Sequence, residues 1–320
     1  MKSLQSIVNK EMKKLQDIEN QLRVLEKDRK ALHAKSKKIT PWLILIPILY
    51  FLFSAAFLKV GPFTIISSVF LGIVSAIIYS IRVRSPFSNI IKDLKFSLID
   101  SFIKEYHPNI KFNYAQHSRN GKSIIRSTGL IGADKYFEED VIQGENKDVK
   151  FYISEVHLKS ESNDAMVTVF KGILFKINLP NRNFPKTIIQ SRPGLLNKIF
   201  RSFEKNEKYD FWYDTNDESR FIKTLGPLFP FLKHLIERQD VIRLKAEGNE
   251  IILMLETGMR FLDEPKPKLS RTFFEKEFAN RLGQQLNSLL FIVESFANNL
   301  GQTEIEERLE LKAFEYLKAD

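Results

Sequence analysis

The most informative absence in this chain is that of cysteine, since none occurs among its 320 residues. A disulfide framework and a thiolate metal site are therefore excluded, because both need cysteine sulfur. The absence also agrees with a reducing compartment. The absence of cysteine therefore excludes two kinds of protein but does not indicate an activity.

A second absence is that of charge between residues 41 and 81, where Lys59 is the only side chain charged at neutral pH. Two apolar runs, 41–58 and 63–81, lie on either side of a four-residue tip. At about 1.5 Å per residue, each run makes a helix of roughly 27–29 Å, close to the ~30 Å hydrocarbon core of a bilayer. The sequence therefore predicts a two-helix transmembrane hairpin over residues 39–84.

Basic residues flank the predicted hairpin on both sides. Lys35, Lys37 and Lys38 precede it, and Arg82 and Arg84 follow it. Because Lys and Arg bias flanking segments toward the cytoplasm, we expect both termini on the cytoplasmic side of a bacterial inner membrane. A long polar segment before the first run argues against a cleavable signal peptide. The lipid bilayer is thus the first expected partner.

The formal net charge of +10 is concentrated beside the predicted hairpin. Residues 1–84 carry 14 Lys and Arg against 5 Asp and Glu, whereas residues 85–320 carry 35 against 34. A basic nucleic-acid interface would need that excess on the remainder of the chain, so we expect no nucleic-acid partner. Bases next to a membrane are expected to contact anionic lipid headgroups instead.

Residues 1–38 contain no glycine or proline, and apolar side chains recur there at alternating spacings of three and four. This pattern predicts a coiled-coil helix, which needs a partner helix to cover its apolar stripe. The partner is either a second copy, giving a homo-oligomer through residues 1–38, or another part of the same chain. The seam positions are Met1, Leu4, Val8, Glu11, Leu15, Ile18, Leu22, Leu25, Arg29 and Leu32.

Small residues recur every four positions in the second apolar run, at Ser68, Gly72 and Ala76. They share one helix face and would let another helix approach closely, either the first span or a helix outside the hairpin. Neither run contains a carboxylate, His or Arg. This composition argues against a proton or ion pathway, which needs polar groups within the membrane.

Residues 85–302 are predicted to form a cytoplasmic α+β domain. Ser85-Pro86 begins an amphipathic helix of about 20 residues, because proline is favoured at the first helical position. Further helices are predicted over 217–237, broken at Gly226-Pro227, and over 270–300. Residues 303–320 are assigned to a C-terminal helical tail.

The sheet of this domain is predicted to be antiparallel, since several segments alternate apolar and polar residues and are joined by short turns. Ser162-Asn163-Asp164 supplies one turn, and Gly248-Asn249 supplies a hairpin. The predicted strand segments lie near 111–115, 149–154, 167–179, 186–191, 209–214, 241–247 and 250–256.

Several stretches resemble the core of an uncharacterised bacterial membrane family, domain-of-unknown-function family 3137. They read TGLI at 128–131, YFEEDVIQG at 136–144, VKFYISE at 149–155, FKGILF at 170–175 and YDFWYDTNDESR at 209–220. The resemblance covers about residues 85–300. It implies the arrangement of coiled coil, membrane hairpin and soluble domain, and it supplies no catalytic residues.

The chain departs from the family pattern at two places. Leu225-Gly226-Pro227 stands where the family has a Leu-Thr-Pro step, and Ser219 stands where it prefers Ala. The chain therefore resembles a divergent member of the family.

Gly121-Lys122-Ser123 is similar to the end of a P-loop, in which Lys reaches nucleotide phosphates. Such a loop requires a glycine five residues before Gly121, and this chain has Gln116 at that position. A simple turn at Asn120-Gly121 is the competing interpretation, and we expect no cofactor.

Asp140, Glu155 and His157 are weak candidates for a divalent metal site, with Glu138 and Glu139 nearby. Their spacing is not diagnostic. Acidic loop residues and a solvated histidine explain the same pattern.

Residues 195–205 predict a basic amphipathic helix, with apolar Leu195, Leu196, Ile199, Phe200 and Phe203 and basic Lys198, Arg201 and Lys205. Such a helix would pack on the sheet, lie on a membrane surface or contact a protein partner.

The leading hypothesis is a membrane-anchored cytoplasmic interaction or scaffold protein that recognises a protein or lipid partner. The alternatives are a membrane-tethered enzyme, acting through Lys122 and Ser123 or through the Asp140 group, and a lipid-binding module.

Overall fold

The computed structural model divides the chain into two compact units. The helical unit comprises Met1–Ser101 and Pro265–Ala279, and the sheet unit comprises Phe102–Glu264 and Asn280–Asp320. The division falls inside a helix, between Ser101 and Phe102. The structure describes residues 2–57, 61–107, 109–115, 118, 120–146, 148–162, 165–191, 204–237, 241–256, 269–270 and 276–298.

The helical unit contains two long helical segments. Helix α1 (Lys2–Phe57) continues through Pro41 and Pro47, so the predicted coiled coil and first span form one helix with no break at residue 39. Helix α2 (Pro62–Tyr79) leads into a π-helical turn (Ser80–Arg84) and then into α3 (Ser85–Tyr106). The predicted helix at Ser85 is therefore a continuation of the second span.

The two segments run antiparallel along their length. At one end, Leu22 and Leu25 of α1 pack against Leu94 of α3, which is fully buried. Farther along, the Tyr50 hydroxyl of α1 donates a hydrogen bond to Ser67 Oγ of α2 at 3.0 Å. The chain direction of α1 is thus opposite to that of the segment formed by α2 and α3.

Part of the predicted coiled-coil seam is covered within the chain. Leu22 and Leu25 pack on α3, and Leu32 is buried. Arg29 is also buried; it donates two hydrogen bonds to the Glu26 carboxylate, at 2.9 and 2.7 Å, and a third to the Leu269 carbonyl. Because its guanidinium is paired, Arg29 fits a largely apolar seam. The seam positions before Leu22 lie outside the side chains that the structure describes.

The π-helical turn changes the phase of the second segment. Thr64 is buried beside α1 near the tip, and Leu94 is buried beside α1 at the other end. At about 3.6 residues per turn, an unbroken α-helix would place Leu94 about 120° from Thr64 around the axis. The one extra residue of a π-turn removes about 100° of that difference, so both residues face α1.

Within the residues that the structure describes, the sheet unit contains nine strands in the order β1-β2-β3-β4-β9-β8-β5-β7-β6, and every pair of neighbours is antiparallel. This confirms the predicted α+β class with a large antiparallel sheet. The strands are β1 (Lys111–Ala115), β2 (Lys135–Asn146), β3 (Val149–Ser162), β4 (Ala165–Asn178), β5 (Phe184–Gln190), β6 (Glu204–Asn206), β7 (Phe211–Thr215), β8 (Val241–Gly248) and β9 (Glu250–Glu256).

Of the helices in the described part of the chain, four belong mainly to the sheet unit. They are α4 (Asn120–Thr128), α5 (Glu218–Leu225), α6 (Phe229–Glu237) and α7 (Lys276–Asn298), with a 3-10 turn (Gly226–Leu228) between α5 and α6. The break predicted at Gly226-Pro227 is confirmed. Asp217 begins α5 by accepting a hydrogen bond from the Arg220 backbone N–H at 3.0 Å, which caps an otherwise unpaired donor.

The core of the sheet unit lies on both faces of the sheet. On one face, Ile125 of α4 and Leu130 pack in a cluster with Tyr152, Leu174 and Met254. A row of registered residues crosses the other face, where Tyr213 of β7 stacks on Phe221 of α5 with ring centroids 4.8 Å apart. The row consists of Ile153, Phe175, Leu253, Leu244, Ile189 and Tyr213.

Three local predictions are wrong. The acidic residues 138–140 lie in strand β2, not in a loop; Asn120-Gly121 begins helix α4, not a turn; and Lys205 lies in strand β6, not in a helix. The remainder of the predicted amphipathic helix and the tail 303–320 lie outside the described residues.

Candidate functional site

The largest apolar surface of the helical unit lies on α1 and α2. The stretches Leu22–Ala56 and Pro62–Lys104 are long and apolar enough to cross a membrane, and only 6% of the most apolar window in each is buried. A core helix of a soluble protein would instead bury this surface. The exposed side chains include Ile44, Leu49, Leu52 and Phe53 of α1 and Phe63, Ile66, Val69 and Phe70 of α2.

Several polar side chains near the tip of the hairpin lie on its inner side. Ser67 accepts the Tyr50 hydrogen bond and donates to the Phe63 carbonyl at 2.8 Å, and Thr64 is buried; the buried Ser54 Oγ forms no hydrogen bond to any described residue. Pairing such groups with each other and with backbone carbonyls is what a hydrocarbon environment requires, because no water is available there. The hairpin thus has hydrogen-bonded polar groups between its helices and an apolar outer surface.

The small-residue face predicted at Ser68, Gly72 and Ala76 does not form the close contact of this hairpin. Ser68 is half-buried and donates to the Thr64 carbonyl at 2.8 Å, Ala76 is exposed, and a Cβ on Gly72 would have no atom within 4 Å. The hairpin contact runs instead through Tyr50 and Ser67. Packing of this face against a helix outside the hairpin stays a prediction.

The predicted membrane-flanking bases are all exposed. Lys35, Lys37 and Lys38 lie on α1, and Arg82 and Arg84 lie on the π-helical turn. We call these five residues the basic collar. Because the two segments run antiparallel and pair at Tyr50–Ser67 and Leu25–Leu94, both halves of the collar lie at the same level along the hairpin.

The P-loop-like residues do not leave an open phosphate site. The Glu138 carboxylate accepts a hydrogen bond from the Gly121 backbone N–H at 3.2 Å, at the first turn of α4. Lys122 and Ser123 are exposed; the Lys122 ammonium lies 5.5 Å from the Tyr136 ring centroid, and Ser123 donates to the Asn120 carbonyl at 2.8 Å. The Glu138 carboxylate therefore occupies the place at the first turn of α4 where a phosphate would bind.

Glu138 is held in place by a buried tyrosine. The Tyr152 hydroxyl donates to Glu138 Oε1 at 2.5 Å. Burial of Tyr152, together with this hydrogen bond to a carboxylate, raises the pKa of its hydroxyl well above the usual value. The arrangement joins α4, β2 and β3 through one carboxylate.

The candidate metal residues are placed in separate contacts. Asp140 is buried and accepts a hydrogen bond from the Tyr114 hydroxyl at 2.5 Å. Glu155 is buried on β3 opposite Glu139, and His157 Nε2 lies 2.8 Å from Thr168 Oγ1. Within the described residues, no group of three or more His, Cys, Asp or Glu side chains is arranged to hold a metal ion.

The tyrosine partners Tyr114 and Tyr152 were not anticipated from the sequence. The Tyr114 contact lies at a bulge in β2, where the register with β3 shifts between Glu139 and Ile142 and Asp140 adopts a φ of 49°. A run of three acids gives no local signal of such a bulge. The one available hint was the short polar side chain of Asp140, since Asp tolerates a left-handed backbone.

Comparison with known proteins gives one structural similarity. No family model matches the chain, and no curated protein matches it either. The chain is weakly similar in structure to the crystal structure of the mycobacterial trehalose monomycolate transport factor A, TtfA, with a TM-score of 0.31 and 10% sequence identity. The match covers 60% of this chain and 91% of that one.

Proposed function

We propose that this chain is a membrane-anchored protein whose hairpin crosses a bacterial inner membrane twice and whose sheet unit is an interaction module in the cytoplasm. The observation that carries the proposal is the exposed apolar surface of α1 and α2, with its polar groups turned inward at Tyr50 and Ser67. Water would leave that surface unfavourably solvated, whereas hydrocarbon would cover it.

The basic collar supports the orientation. Its five positive charges lie where the apolar surface gives way to the amphipathic part of the hairpin. Lys and Arg beside spans are retained on the cytoplasmic side. Both termini and the sheet unit then share that side.

An interaction role accounts for the sheet unit better than nucleotide chemistry. Glu138 occupies the first turn of α4, so a phosphate would meet a carboxylate there. The partner that we propose is a membrane or cytoplasmic protein, or a lipid. The quoted motifs of family 3137 fall largely on β2, β3, β4 and β7, which supports the further proposal that the chain is a divergent member of that family.

Fractionation of cells that express the full chain tests the anchoring. We expect the protein to stay in the membrane pellet after alkaline carbonate washing and to enter solution only with detergent. A fluorescent reporter fused after Asp320 should mature in the cytoplasm, and a periplasm-dependent phosphatase at the same place should stay inactive. A freely soluble protein, or an active phosphatase, would refute the scheme.

Proximity labelling tests the interaction role. A labelling enzyme fused after Asp320 of the full chain is compared with the same enzyme on a chain that ends after the hairpin. We expect the full chain to label a reproducible protein that the shorter control does not. Identical labelling by both proteins would argue against an interaction module.

A further inference from the structure

The basic collar has no acidic counterpart in the neighbouring sequence. No Asp or Glu occurs from residue 29 to residue 92, a stretch that contains both halves of the collar. The charges of Lys35, Lys37, Lys38, Arg82 and Arg84 are therefore not neutralised by an adjacent carboxylate on either helix. Five positive charges at one level of a hairpin create a local potential that attracts anions.

The π-helical turn sets the direction of the two arginines. Val83 is buried at 1% exposure, while its neighbours Arg82 and Arg84 are both exposed. The turn thus buries Val83 in the hairpin and leaves the side chains of Arg82 and Arg84 exposed. Planar guanidinium groups bind phosphate oxygens with paired hydrogen bonds, which an ammonium cannot do.

Aromatic residues with a polar tip mark the apolar side of the collar. Trp42 of α1 and Tyr79 of α2 are 62% and 38% exposed, and each lies a few residues from the collar toward the apolar part of its helix. Trp and Tyr concentrate at the level of lipid headgroups, because one end of the ring is apolar and the other forms hydrogen bonds. The collar and the aromatic pair together have the layering of a membrane–water interface.

We propose that the basic collar is a binding site for the headgroups of anionic phospholipids in the surrounding bilayer. The proposal rests on the membrane anchoring proposed above and adds a lipid preference to it. The exposed apolar surface beside the collar favours a lipid over a free phosphate, because acyl chains cover that surface while the headgroup phosphate contacts Arg82, Arg84 and the lysines.

Trp42 provides a direct measurement of the lipid beside the collar. The chain has two tryptophans, and Trp212→Phe leaves Trp42 as the only one. The full chain with this change is reconstituted into phosphatidylcholine vesicles that contain either brominated phosphatidylglycerol or brominated phosphatidylcholine, with the bromines high on the acyl chains. We expect brominated phosphatidylglycerol to quench Trp42 more strongly than brominated phosphatidylcholine at equal mole fraction. The difference should correspond to about threefold higher apparent affinity for phosphatidylglycerol.

Substitution of the arginines tests the site itself. Arg82→Gln/Arg84→Gln should abolish most of that preference while leaving quenching by brominated phosphatidylcholine intact. The control Lys208→Gln/Lys223→Gln removes the same charge from exposed positions of the sheet unit and should keep the preference. Adding inorganic phosphate should not compete, because a free anion lacks the acyl chains.

The outcomes separate the two proposals. Equal quenching by the two lipids, or a preference that persists in the double arginine variant, would overturn the lipid site and leave the anchoring intact. Absence of quenching by either lipid would show that Trp42 is not in a bilayer, and would overturn the anchoring itself. Competition by phosphate would show a general anion site in place of a lipid site.

Discussion

The Tyr50 hydroxyl donates a hydrogen bond to Ser67 Oγ across the hairpin, at 3.0 Å. Hydrogen bonds between membrane helices contribute about 0.6 kcal/mol on average and up to about 2 kcal/mol. We expect Tyr50→Phe and Ser67→Ala each to destabilise the hairpin by an amount in this range. The double variant should lose less than the two single variants together, because both changes remove one shared bond.

A double-mutant cycle on the full chain, with unfolding measured in detergent micelles, checks this coupling. Tyr79→Phe serves as the control, since Tyr79 is exposed and should change stability little. Strict additivity of Tyr50→Phe and Ser67→Ala would contradict a direct bond.

Packing of Leu25 against Leu94 predicts a crosslink within one chain. Because the chain has no native cysteine, Leu25→Cys/Leu94→Cys introduces the only thiols. We expect oxidation to give a monomer of altered electrophoretic mobility. The control pair Val24→Cys/Leu94→Cys should react poorly, since Val24 is 60% exposed. Disulfide-linked dimers as the main product would show instead that the seam pairs between two copies.

A charge on the apolar surface should hinder membrane insertion. Leu52 is 57% exposed in the middle of the first span, and Leu52→Arg should oppose insertion by about 2.5–3.5 kcal/mol. The matched change Val24→Arg, at an equally exposed position outside the apolar run, should have no such effect. Carbonate-resistant protein in the membrane fraction measures both, and equal recovery of the two variants would contradict a lipid-facing Leu52.

A Cβ on Gly121 would overlap Glu138 Oε1, so the Glu138 carboxylate would have to move aside. Gly121→Ala should displace the carboxylate from the Gly121 backbone N–H and destabilise the sheet unit by about 1–3 kcal/mol. Gly132→Ala is the control, since a Cβ at Gly132 would have no atom within 4 Å. Trp212 fluorescence in a Trp42→Phe background reports unfolding of the sheet unit, and equal midpoints for both variants would refute the contact.

Tyr152 should make the stability of the sheet unit sensitive to alkaline pH. Its pKa is raised in the folded chain by burial and by the hydrogen bond to Glu138. A raised pKa stabilises the fold fully below the pKa of tyrosine in the unfolded chain, about 10, and this contribution is lost as the pH rises toward the folded pKa. Tyr152→Phe should lower stability at neutral pH, because Glu138 loses a donor.

The difference in unfolding free energy between the wild type and Tyr152→Phe gives the test. We expect it to be constant from neutral pH to about 9 and to shrink above about 10. A difference that stays constant to the alkaline limit of folding would show that Tyr152 does not titrate with the predicted sign.

Elements with a strong local signal could be predicted from the sequence. Ser85-Pro86 predicted the helix that follows it, which is α3, but the predicted start is wrong because α3 continues from α2 through the π-helical turn. Gly248 gave the hairpin between β8 and β9, because its φ of 59° suits glycine. The apolar helices were predicted from the lack of charge alone. Local chemistry determines each of these features, so no knowledge of a partner segment was needed.

Features that depend on pairing between distant segments could not be predicted. Strand β2 carries the acidic run 138–140, and its register with β3 is set by a bulge at Asp140 that no local pattern indicates. The sequence likewise did not determine which face of α2 contacts α1. The sequence therefore favoured Ser68 and Gly72 for the close helix contact, whereas the structure uses Ser67.

The unbroken course of α1 has a mechanical consequence. The residues from Leu22 to Lys38 form a rod of about 24 Å that continues directly from the apolar part of the same helix. Rocking that apolar part by about 10° swings Leu22 sideways by about 4 Å. If the proposed anchoring holds, a change in bilayer thickness that tilts the apolar part of α1 would shift Leu22 by a similar distance.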